Sequence, residues 1–140
     1  MTVRRGWAVL LVAGFAVAGC AAAPAATNPT ASSPSTIVVT APPGGVLLTD
    51  RGMSFAPAGF SIPAGLTPAS TTNLSELVTV VFDGADGSSV YQYLKANLGG
   101  MGCPITASSA DSITWNCGVW AGGFTMTSSQ AALTLRRMAG

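Results

Sequence analysis

Residues 21–45 read AAAPAATNPTASSPSTIVVTAPPGG, a stretch without a charged side chain and dominated by Ala, Pro, Ser and Thr. Such a composition buries too little apolar surface to offset the entropy of ordering, and its prolines favour an extended polyproline II path. At about 3.1 Å per residue its reach is at most roughly 75 Å. The stretch therefore splits the 140-residue chain and confines the foldable part to residues 46–140, enough for one modest core. One run inside it fits a disordered linker badly. Ile37, Val38 and Val39, flanked by Thr36 and Thr40, read as an edge strand docked on the domain.

The N-terminal side of the spacer has a different character. Arg4 and Arg5 precede an 11-residue apolar run, WAVLLVAGFAV, from Trp7 to Val17. A membrane-spanning helix needs about 20 residues, whereas the apolar region of a signal peptide needs about 7–15. Ala18 and Gly19 then lead into Cys20. The tetrad Val17-Ala18-Gly19-Cys20 resembles the lipobox of bacterial lipoproteins: an aliphatic residue, two small residues and a Cys. The resemblance covers residues 1–20 and implies a defined chemistry. Residues 1–19 are a signal peptide, cut between Gly19 and Cys20, and the Cys20 thiol carries a diacylglycerol. Two acyl chains, at about 0.8 kcal/mol per buried methylene, anchor a protein stably without spanning the bilayer. The expected location is the extracytoplasmic face of the bacterial cell membrane. Val3 stands where a twin-arginine signal wants Ser or Thr, so general secretion is the expected route.

Charge narrows the partners. The chain has six Lys and Arg, five Asp and Glu and no His, and only 8% of its residues are charged. Removing Arg4 and Arg5 with the signal peptide leaves four basic and five acidic side chains. That balance lacks the clustered basic face of a nucleic-acid binder, and attachment to a membrane would owe nothing to polybasic attraction.

Within residues 46–140 the pattern predicts an α+β domain, one helix packed on a four- to six-stranded, mainly antiparallel sheet. Val46–Thr49 and Phe60–Ile62 read as short strands. Leu77–Phe82 (LVTVVF) is apolar on both faces, as in a central strand covered on each side. Ser88–Leu98 switches to helical spacing, with Val90, Leu94 and Leu98 on one stripe and Tyr91 and Met101 beside it. Asp86 or Ser88 is the expected cap and Gly99-Gly100 the expected left-handed stop.

Four strand-like segments follow: 103–108, 112–118, 122–128 and 131–136. Pairing numbers that sum to 220 sets Cys103 opposite Cys117, Ile105 opposite Trp115 and Ala107 opposite Ile113, around a Ser109-Ala110-Asp111 loop. Sums of 239 and 259 extend the rows to Ile105–Trp115–Phe124–Leu135 and Ala107–Ile113–Met126–Leu133. Thr106, Ser108, Thr114, Asn116, Thr125, Thr127, Thr134 and Arg136 then take the solvent face.

With Cys20 assigned to lipid, Cys103 and Cys117 remain. Export into an oxidising compartment favours a bridge between them, closing a 13-residue loop for about 3 kcal/mol. The other reading is two free thiols or a redox pair, for which neither a C-x-x-C spacing nor a neighbouring cation is present.

Catalytic and metal chemistry find little support. Without His, a Ser nucleophile would have to use Lys95, and Ser88 and Ser89 lie seven and six positions before it, not at S-x-x-K spacing. Asp83-Gly-Ala-Asp86-Gly-Ser88 superficially matches a calcium loop, but an EF-hand would need oxygen ligands where Ala85, Gly87 and Leu94 stand. No cofactor, metal or enzymatic activity is expected. Trp120, in an apparent loop Gly118–Ala121, has two readings: an exposed aromatic anchor for a partner, or a lid over the open edge of the core. Arg136-Arg137 reads as a solvated end or as a contact for anionic groups. Two function classes stay open. One is a membrane-anchored binding or interaction module meeting an envelope protein, glycan or lipid. The other is a structural or antigenic surface lipoprotein without a ligand site.

Overall fold

The computed structural model describes residues 37–140. The expected signal peptide, the motif ending at Cys20 and the spacer as far as residue 36 lie outside the described residues. Eight strands and one helix follow: β1 (Gly45–Leu47), β2 (Ser61–Pro63), β3 (Ser70–Leu74), β4 (Leu77–Asp83), α1 (Gly87–Asn97), β5 (Ile105–Ser108), β6 (Ser112–Cys117), β7 (Trp120–Met126) and β8 (Gln130–Arg137). β1 and β2 pair as a small ribbon, and the other six strands form one antiparallel sheet in the order β3-β4-β8-β7-β6-β5. The α+β architecture, one helix on an antiparallel sheet, is the one its sequence pattern predicts.

The four C-terminal strands form the expected meander, but two registers move. β5 and β6 keep Ile105 opposite Trp115 and then shift at a bulge, so Ala107 meets Thr114 rather than Ile113. β6 pairs with β7 on sums of 237, and β7 with β8 on sums of 257. Each is two residues away from the expected register. A slip of two leaves every side chain on its expected face, because strand side chains alternate with period 2. Its cause is local. Cys117 pairs with Trp120, leaving only Gly118 and Val119 as the turn, and Gly118 takes φ 60° at the first central position, where tight hairpins favour Gly.

The slip sets Gly122 opposite Trp115 in place of Phe124. A Cβ at Gly122 would overlap the Trp115 indole, so the ring lies directly on the strand backbone. Phe60 stacks on the other side of the ring with centroids 5.7 Å apart and planes 19° apart. The rows of the core face thus become Trp115–Gly122–Leu135–Val78 and Ile113–Phe124–Leu133–Val80, all fully or nearly buried except Gly122. β5 sits beyond this core. Ile105 is 41% exposed and every residue of the strand faces solvent, so Ile105 and Ala107 drop out of the expected rows.

β4 alternates rather than being covered on both sides. Val78, Val80 and Phe82 are buried, while Leu77, Thr79 and Val81 are half-exposed on the open face of the sheet. α1 covers the core face through Val90, Tyr91, Leu94 and Leu98, as its stripe predicts. It shares that task with the Gly/Pro-rich segment after β1, which inserts Leu48, Met53, Ala56, Phe60 and Ile62. The one fully buried polar residue there, Ser61, bonds the Tyr93 hydroxyl at 2.8 Å and donates to the Met101 sulfur at 3.2 Å.

Both helix ends differ from expectation. Asp86 occupies the cap position without a side-chain bond, because a 3-10 turn at Gly84–Asp86 already delivers the chain in helical geometry. The left-handed stop falls at Gly102 (φ 73°), not at Gly99-Gly100, after one further turn in which Cys103 N–H reaches back to Leu98 O. The strand expected at Ile37–Val39 does not form. Those residues have no regular structure, and Val39 lies against Gly59 rather than on a sheet edge.

The two adjacent glycines of β7 provide a direct check. Gly122→Ala should lower unfolding free energy by about 2 kcal/mol through overpacking against Trp115. Gly123→Ala, whose Cβ would meet only Thr114 Cγ2 at 3.8 Å, should change it by less than about 1 kcal/mol. Urea denaturation of the two variants measures the difference.

Candidate functional site

Cys103 and Cys117 are joined by a disulfide, with Cα atoms 4.4 Å apart. It ties the segment leading into β5 to the end of β6 and sits at the margin of the buried cluster, with Cys103 buried and Cys117 half-buried. This is a structural bridge holding an otherwise exposed edge strand. Cys20 and Gly19, the expected lipidation and cleavage positions, lie outside the described residues.

Trp120 is not a loop residue. It opens β7, pairs with Cys117 and is only 8% exposed, within the core cluster. The two-residue turn pulls it into the strand, on the same face as Phe124. Trp120 is therefore a core residue and not an exposed anchor. The exposed residue of that turn is Val119.

The polar residues considered for chemistry are dispersed. Lys95 lies 5.7 Å from the centre of the Tyr91 ring, and the Tyr91 hydroxyl donates to Ser109 O. Glu76, just before β4, and Asp83, at its far end, stand roughly 24 Å apart at about 3.4 Å per residue. Among the described residues, no three His, Cys, Asp or Glu side chains gather as a metal site would require, and no helix is long and apolar enough to cross a membrane.

What the topology does assemble is a contrast between the two ends of the sheet. One end holds the β5–β6 and β7–β8 turns. There Ser109 bonds Asp111 and Ser112, and Thr127 bonds Ser129 and Gln130. These side chains satisfy one another. The other end holds the β3–β4 turn, the β6–β7 turn and the segment after β8, joined where Arg137 N–H donates to Glu76 O and Met138 N–H to Val119 O. Here four apolar side chains are left in solvent: Phe55, Leu74, Val119 and Met138.

At this end a shallow groove of about 550 Å³ is lined by Phe55, Asn73, Leu74, Ser75, Glu76 and Leu77. Leu74 is 57% and Phe55 48% exposed. Asn73 fixes one wall. Its side chain accepts from Phe55 N–H at 3.2 Å and donates to Gly52 O at 3.3 Å. Glu76 separates the groove from a smaller hollow of about 280 Å³ formed with Arg137, Met138, Ala139 and Gly140. The arrangement, an apolar floor with one carboxylate and an amide on its rim, is suited to holding a side chain or short peptide. Sequence reasoning misses this groove because Phe55 lies in a Gly/Pro-rich stretch and Leu74 in a strand without apolar alternation. The only signal is that neither residue has a place on a core stripe.

The chain matches no protein-family model, no curated protein and no solved structure.

The disulfide yields its own check. Replacing both cysteines with Ser should lower stability by about 3 kcal/mol in chemical denaturation, and reductant should shift the parent protein to the same midpoint. Equal midpoints with and without reductant would contradict a stabilising bridge.

Proposed function

We propose that the protein is a lipid-anchored envelope lipoprotein whose domain serves as a small binding module, engaging another envelope component through the groove at the β3–β4 end. The observation that carries this reading is the uneven distribution of apolar surface. Hydroxyl side chains at one end of the sheet satisfy each other, whereas the other end leaves Phe55, Leu74, Val119 and Met138 exposed, with Phe55 and Leu74 together in one groove. Clustered apolar side chains on so small a surface mark a contact site more often than scattered ones do. The lipobox-like tetrad supports the anchor, and the uncharged spacer supports a tether long enough for the domain to meet partners at some distance from the bilayer.

Two measurements test the proposal. Mass spectrometry of the membrane-extracted protein should find a chain that begins at Cys20 and carries acyl groups, and Cys20→Ala should abolish both features. A chain retaining Arg4 and Arg5 without acyl mass would overturn the anchor. A photoreactive amino acid at Phe55, activated in live cells, should give a recurrent protein adduct that Leu74→Asp removes. Adducts to lipid alone, or none, would overturn the binding module.

A further inference from the structure

We infer that β3 is the docking edge for a second copy of this chain, which adds its Thr36–Thr40 segment to the sheet as a seventh, antiparallel strand. The inference rests on reading the β3 side of the domain as its binding surface, and not on the lipid anchor.

The two edges of the sheet are built differently. β5 is short, follows Pro104, carries a bulge between Ile105 and Ala107 and is tethered by the disulfide at Cys103. Proline, bulges and short length are the devices by which sheets prevent edge-to-edge pairing. β3 is also short and has Pro68 two residues before it, but it carries no bulge and no disulfide. All five of its residues, Ser70–Leu74, keep unbroken register with β4, and STTNL contains no charge and no Pro. Among the described residues its outer edge has no strand partner.

The same chain carries a segment matched to that edge. TIVVT at 36–40 has five residues, all β-branched, with no charge, Gly or Pro. These are the attributes of a strand that adds readily to another sheet. Ile37 is 84% and Val38 81% exposed, so the most apolar run of the described N-terminal segment is left uncovered. Residues 37–40 do not occupy their own β3: they have no regular structure, and Val39 lies against Gly59. On a foreign β3, Ile37 and Val39 would fall on one face and Val38 on the other. Apolar side chains flank β3 to receive them, with Phe55 approaching from the side of Asn73 and Leu74 and Leu77 lying on the opposite face. Each copy has one donor and one acceptor, so reciprocal exchange closes as a two-fold dimer and leaves no free β3 edge.

The test uses the full mature chain in detergent, followed by sedimentation and amide hydrogen exchange. The expected result is a dimer whose Ser70–Leu74 amides exchange at least tenfold more slowly than in Val38→Pro. That variant should sediment as a monomer with β4 protection unchanged, because Val38 lies outside every strand and helix. A synthetic peptide spanning residues 34–42, added to Val38→Pro, should restore slow exchange in β3. A parent chain that stays monomeric overturns the inference, whether its β3 amides exchange fast or are shielded from within. So does a dimer that Val38→Pro leaves intact, or a peptide that leaves β3 unprotected. A monomer whose Phe55 probe still captures another envelope protein would fail this inference alone and leave the binding module standing.

Discussion

The close approach of the Trp115 indole to Gly122 is the contact on which the rest of the domain depends. It fixes the β6–β7 register, because only a residue without a side chain fits beneath the ring. It also recruits the irregular N-terminal segment, since Phe60 stacks on the ring and carries Ile62 and Leu48 with it into the core. The indole N–H lies buried with no acceptor, a defect that costs about 1–3 kcal/mol. Stacking and full burial of the largest side chain in the core offset it. The arrangement favours shape complementarity over hydrogen bonding at the centre of the molecule.

Much of this fold is legible in the sequence, for physical reasons that also explain the gaps. The α1 stripe and the two-faced division of the meander follow from periodicity, which tertiary packing reinforces. Registers are weaker signals. A slip of two preserves every face, so polarity cannot distinguish Phe124 opposite Trp115 from Gly122 opposite Trp115. Only the steric demand of the ring decides, and it acts in three dimensions. β3 leaves no trace in the pattern because an edge strand beyond the helix has no core face to fill. Phe55 and Leu74 are invisible for the converse reason: their significance is that nothing covers them. Trp120 misleads because a large aromatic beside two glycines reads as a loop until the turn shrinks to two residues.

The surface follows a consistent economy of charge. Where other small domains keep their sheets soluble and unpaired with Lys and Glu, this one uses Thr, Ser and Asn on the open face, with Arg136 the charged side chain in the middle rows. Hydroxyls solvate a sheet but do little to repel another strand. The guarding of β5 by a bulge, a proline and a disulfide is thus the exception on this molecule, and the plainness of β3 stands out against it.

The place of β8 has a consequence for how the chain acquires its structure. β8 is the last strand in chain order, yet it lies inside the sheet and pairs with both β4 and β7. β5–β7 are hairpin neighbours and pair locally, and so are β3 and β4. Within the sheet the two halves pair only through β8, whose contacts with β4 span about 50 residues of sequence. A chain emerging N-terminus first would therefore hold this sheet in two parts until Gln130–Arg137 appeared.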